Sequence, residues 1–135
     1  MRGHETVQRL AAIGILTLAL GARTHAAASH PPLVTRVHGI ATGIAACWRP
    51  PHENDQVTVR LSFTREGAVI DEPRIVFARS SGGRADDSAL ARSMLAAIRE
   101  CTPLHFSAQL GSAIAGQVLD IRFIGLGRAT IVAPP

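Results

Sequence analysis

Val57-Thr58-Val59-Arg60-Leu61-Ser62-Phe63-Thr64 alternates without a break between apolar and polar side chains. A strand turns successive side chains to opposite faces, so this period reads as a strand with Val57, Val59, Leu61 and Phe63 inward. Arg65-Glu66-Gly67-Ala68 follows as a tight connection, with Gly67 free to take positive φ. Val69 and Ile70 open a second strand that runs on through Pro73 to Arg74-Ile75-Val76-Phe77. Proline lacks the ladder N–H, so this second strand belongs at an edge or carries a bulge.

Helical periods flank the hairpin. Upstream, Leu33, Val37, Ile40, Ile44 and Cys47 recur at steps of four and three, one face of a helix that opens at Pro31-Pro32 and stops at Pro50-Pro51. Downstream, Ser80-Ser81-Gly82-Gly83 is a turn and Asp86-Asp87-Ser88 an N-terminal cap. Leu90, Met94, Ala97 and Cys101 then repeat the helical spacing up to Thr102-Pro103. Residues 104–117 are ambiguous, because Gly111 and Gly116 oppose one long helix. Leu119, Ile121 and Phe123 alternate as a third strand, and the chain after Gly125 is expected to be a flexible tail.

The expected fold is therefore α+β, in the order α-β-β-α-β. Two helices pack on a three-stranded antiparallel sheet of order 2-1-3, with the alternating strand central. Both cysteines end an inward helical stripe. A disulfide requires Cα atoms about 4.4–6.8 Å apart, so the two helices should end at one rim. Residues 49–56 must then return the chain to the first strand, a reach of about 26 Å when extended.

The chain has 135 residues, enough for one domain and a leader. Arg2 and Arg9 precede an uncharged stretch of 13 residues, Leu10 to Ala22. Small residues then fit cleavage after Ala26 or Ala28. The apolar run is shorter than the roughly 20 residues of a bilayer-spanning helix. The expected organisation is a secretory signal peptide at 1–28, a domain at 29–125 and a tail at 126–135. No stable membrane anchor remains after cleavage, and the protein is expected to be periplasmic or secreted. In that setting Cys47 and Cys101 form a disulfide. Neither has a second Cys at redox or zinc spacing.

The net charge of +4 invites a nucleic-acid reading. Without the leader the excess shrinks to eleven Arg against nine acids, and no run of basic residues exists to track phosphates, so no nucleic-acid partner is expected. His30, His38, His52 and His105 show no metal-protease spacing, and His52, Glu53 and Asp55 read as a solvated linker. Asp71 and Glu72 are neighbours in a strand and face apart. No nucleophile stands with a base, so no enzyme, catalytic residue, metal or cofactor is expected.

Four stretches resemble the C-terminal domains of the TonB/TolA family, in a small exported, alphaproteobacterial form. Cys47-Trp48-Arg49-Pro50-Pro51 is similar to that family's C-W-x-P element. Residues 57–76 resemble its strand-turn-strand. Ala97-Ile98-Arg99-Glu100-Cys101-Thr102-Pro103-Leu104 resembles its A-I-x-x-C-x-P helix end, and Leu119 to Phe123 its final strand. The sequence departs where His105-Phe106 and Gly111-Ser112 replace family aromatics and Gly125 replaces a Pro. The resemblance implies an interaction module that pairs by sheet edge with an envelope protein or peptide. With only a leader ahead of the domain, it does not imply energy transduction. Trp48 and Arg60 are candidate partner contacts, although packing beside the disulfide is the commoner role for Trp48. The alternative is a small secreted inhibitor or ligand-binding protein on the same scaffold.

Mass spectrometry of protein recovered from a bacterial periplasm should show a chain starting at Ala27 or Ser29. A full-length mass would overturn the leader assignment.

Overall fold

The computed structural model describes residues 31–125 and 127–132; the expected signal peptide lies outside them. The element order is β1 (Leu33–Val34), α1 (Val37–Ala45), β2 (Gln56–Phe63), β3 (Val69–Arg79), α2 (Asp87–Cys101), β4 (His105–Phe106), α3 (Ala108–Ile114), β5 (Leu119–Ile124) and β6 (Arg128–Val132). A 3-10 turn at Arg84–Asp86 leads into α2.

The alternating stretch is β2, and it is central. Its inward residues Val57, Val59 and Phe63 are completely buried, and Leu61 nearly so. β2 pairs antiparallel with β3 on one side and β5 on the other, in a sheet of order β3-β2-β5-β6. The three expected strands thus keep their expected order, and a fourth is added. β6 pairs with β5 from Asp120↔Val132 to Ile124↔Arg128, where a flexible tail was expected. Ala129 and Ile131 supply the reason: they stand opposite Phe123 and Ile121 on the core face and extend the apolar layer by one strand. That signal is only five residues long and is dominated by its neighbours in space.

β3 is the edge strand that Pro73 demanded. Its register against β2 shifts twice, between Thr58 and Val59 and again between Arg60 and Ser62. Asp71 takes φ 58° between the two halves. Gly67, at φ 91°, lets the hairpin turn close, and a Cβ there would overlap the Leu104 carbonyl.

The two longer helices cover one face of the sheet, α2 over β3 and β2, α1 over β5 and β6. Ile40 and Ile44 of α1 and Leu90, Met94 and Ile98 of α2 are buried against the strands. The first helix starts later than its apolar spacing suggested. Leu33 and Val34 instead form a short parallel bridge to His105 and Phe106, and Leu33 is 54% exposed. The ambiguous segment resolves into β4 and α3, capped by the Ser107 hydroxyl, which accepts the Leu110 N–H at 3.1 Å. Phe106 meets Phe63 edge-on at 5.4 Å and closes that end of the core.

Of the cap expected at Asp86-Asp87-Ser88, the placement holds, with Asp86 at the N-cap position and Asp87 in the first turn, but the side-chain bond does not form. Asp86 accepts no capping bond from α2; the Asp87 carboxylate instead reaches back to accept the Ser80 N–H at 2.8 Å.

Cys47 and Cys101 form the disulfide, with Cα atoms 5.9 Å apart where α1 and α2 end. The closed loop spans 54 residues, so the crosslink contributes about 4 kcal/mol through the unfolded chain. Replacing both cysteines by Ala should lower the unfolding free energy by about 2–4 kcal/mol in urea titrations. An unchanged midpoint would show that the helix ends are held by packing alone.

Candidate functional site

Among the described residues no helix covers the opposite face of the sheet, and the strand registers decide what stands on it. Residues directly opposite in a ladder share a face. Arg60 on β2 faces Arg74 on β3 and Asp120 on β5. In the next outward row Thr58 faces Phe77 and Arg122. In the third, Gln56 faces Arg79 and Ile124, and Ile124 faces Arg128 on β6. Arg74, Arg79, Arg122, Arg128, Val76 and Phe77 are all exposed.

Arg60 is a candidate contact residue whose side chain is already committed. Its Nε and Nη2 donate to the two carboxylate oxygens of Asp120, each at 2.8 Å. This fork holds the Asp120 carboxyl below its ordinary pKa and the Arg60 guanidinium above its own. Asp120 sits on the outer face yet is buried beneath the guanidinium. Thr58, also outward, is buried between larger neighbours, and its hydroxyl finds no partner among the described residues.

Trp48 stands on the other side of the sheet. It is 3% exposed, packs edge-on against Phe123 at 6.0 Å and donates its indole N–H to the Ser93 hydroxyl at 3.1 Å. As the candidate partner contact it offers almost no surface, and its described contacts are those of the packing role beside the disulfide. Trp48 and Arg60 are therefore not brought together, whereas Cys47 and Cys101 are.

The expected linker at His52–Gln56 contains a residue that sequence reasoning missed. Asp55 is completely buried, and one carboxylate oxygen accepts the Ser81 N–H at 2.8 Å and the Ser80 and Ser81 hydroxyls at 3.2 Å each. The other accepts the His52 N–H at 2.8 Å. Burial pushes the Asp55 carboxyl up, but the bonds from Ser81, His52 and Ser80 outweigh it and hold the group below its ordinary pKa. Its role is to tie the loop after β3 to the start of β2. Both serine hydroxyls point at Asp55, so neither is offered to the His52 ring, which lies 3.3 Å from Asp86 at the surface. Among the described residues no group of three His, Cys, Asp or Glu could hold a metal ion, and no helix is long and apolar enough to cross a membrane.

An apolar groove of about 560 Å³ runs between β1, α1 and the segment after α2, lined by Pro32, Leu33, His38, Gly43 and Leu104 and reaching the disulfide at Cys101.

The domain is thus a disulfide-linked α+β protein, with one sheet face that no described helix covers. The chain belongs to the family described as uncharacterised conserved protein UCP034077, whose model matches residues 30–126. No curated protein and no solved structure matches the chain.

Both depressed carboxyls stabilise the fold above the ordinary aspartate value of about 3.9, and that contribution is lost as pH falls through their lower folded-state values. Urea midpoints measured from neutral pH downward should therefore fall below about pH 4. Asp55→Asn and Asp120→Asn should each lower the neutral midpoint and flatten this acid limb. A variant with the parental slope would show that its carboxylate is not coupled to folding.

Proposed function

We propose that the protein is a non-enzymatic interaction module of the periplasm or extracellular space that receives an extended segment of an envelope protein along β6. The contrast between the two sheet edges carries this reading. β3 is shielded as edge strands commonly are, by a proline, two register shifts and a positive-φ residue. β6 keeps a regular register over its whole length, contains no Pro, and no described residue pairs with its far side. A regular, unpaired edge is a template for strand addition. The disulfide fits an oxidising compartment, and the resemblance to TonB/TolA C-terminal domains points to the same binding mode.

A second reading, a small secreted inhibitor or ligand-binding protein, draws on the apolar groove beside the disulfide, whose size suits a small molecule.

A photo-crosslinking residue placed at Thr130 on β6, and separately at Val76 on β3, separates them in cells exporting the protein. Adducts with an envelope protein from position 130 and not from 76 are the expected result. Labelling only of a soluble secreted protein would favour the second reading. Equal labelling from both positions would remove the edge argument.

A further inference from the structure

Residues 31–132 carry eleven Arg and nine acids, a nearly balanced composition. Folding does not distribute these charges evenly. Five of the arginines, Arg60, Arg74, Arg79, Arg122 and Arg128, stand on the open sheet face, and Asp120 is the one acid in their three rows. The remainder of the domain then holds six Arg against eight acids. Two of those eight, Asp71 and Glu72, border the face beside Arg60 and Arg74. The sheet face is the basic side of the molecule, and the rest is close to balanced.

Asp120 is spent on Arg60. Asp71 and Glu72 lie beside Arg60 and Arg74 at the far end of β3 and offset charge there. The uncompensated charge therefore concentrates in the other two rows, at Arg122, Arg79 and Arg128, none of which makes an ion pair among the described residues. With strands about 4.8 Å apart, Arg79 and Arg128 stand roughly 14 Å from each other across the sheet, with Arg122 between them one row along.

We propose that this face selects an acidic partner segment: an extended peptide of alternating carboxylate and apolar residues, laid beside β6. The proposal rests on the edge-pairing reading above and adds the chemistry of the partner. The alternation follows from the register. A strand beside β6 places every second side chain on the open face near Arg128, Thr130 and Val132, within reach of Arg122 behind them. The intervening side chains fall beside Ala129 and Ile131, on the side that α1 covers. Acidic residues suit the first set and apolar residues the second. The face already displays the recognition in Arg60 and Asp120, where a guanidinium takes a carboxylate with two parallel N–H bonds. A single-stranded nucleic acid is a poorer occupant, because Phe77 is the one aromatic ring on these rows and successive bases need successive stacking platforms.

The test uses the oxidised mature protein, fluorescently labelled peptides of alternating Glu and Val or alternating Gln and Val, and binding measured by anisotropy. The Glu peptide should bind and the Gln peptide should bind several-fold more weakly. Arg122→Gln and Arg128→Gln should each weaken the Glu peptide about two- to fivefold, while Arg92→Gln on α2, with the same change in net charge, should leave it unchanged. Added salt should reduce the difference between the peptides. Equal binding of the two peptides would overturn the acidic selection and leave edge pairing standing. Binding of neither would overturn both. Binding to phosphatidylglycerol vesicles or to oligothymidine in place of the Glu peptide would overturn the proposal in favour of another polyanion.

Discussion

A central strand must have hydrogen-bonding partners along both edges and an apolar layer against one face. β2 meets both demands, and the rest of the domain is arranged around it. Its inward row of Val57, Val59, Leu61 and Phe63 is what α1 and α2 cover. Its two edges recruit β3 through a short turn and β5 from more than fifty residues away. Because side chains alternate strictly, a slip of one residue of β5 against β2 would set the inward Ile121 and Phe123 opposite the outward row of β2. That penalty protects the register, and the register in turn determines the composition of the outer face.

Two devices hold the ends of this arrangement. The disulfide joins the ends of the helices on the core side. Asp55 gathers the loop after β3 with a carboxylate whose bonds come from both main chain and hydroxyls. Removing either partner of such a buried group leaves the other unsatisfied, which is the costly outcome. One device is covalent and the other electrostatic, and both fasten connections that would otherwise run free beside the sheet.

The two faces of the sheet do different work. The covered face is apolar and includes Trp48, whose burial explains why the sole tryptophan is a packing residue. The open face is polar but not uniform: a satisfied Arg60–Asp120 fork at one end and, toward the opposite end, arginines with no ion pair among the described residues. The exposed arginines contribute little to stability, since exposed charges are well solvated, whereas the fork on buried Asp120 does contribute.

Local pattern determined the α+β class, the central strand and the edge position of the Pro73 strand, each through a period or a chemical restriction carried within a few residues, as when the missing N–H of Pro73 excludes a central place. The relative order of three strands followed from their connectivity, though the sheet has a fourth, and the Cys47–Cys101 pairing from there being two cysteines in the chain. Tertiary structure alone decided that Leu33 and Val34 leave the helix for a strand bridge, that residues 128–132 become β6, and that Asp55 is buried in a stretch that reads as linker. It also decided the charged face. Arg60, Arg74, Arg79, Arg122 and Arg128 are isolated along the chain, and no local window shows them together. Strand register places them in adjacent rows, because pairing depends on which residues of distant segments come opposite one another, and that is a property of the packed sheet.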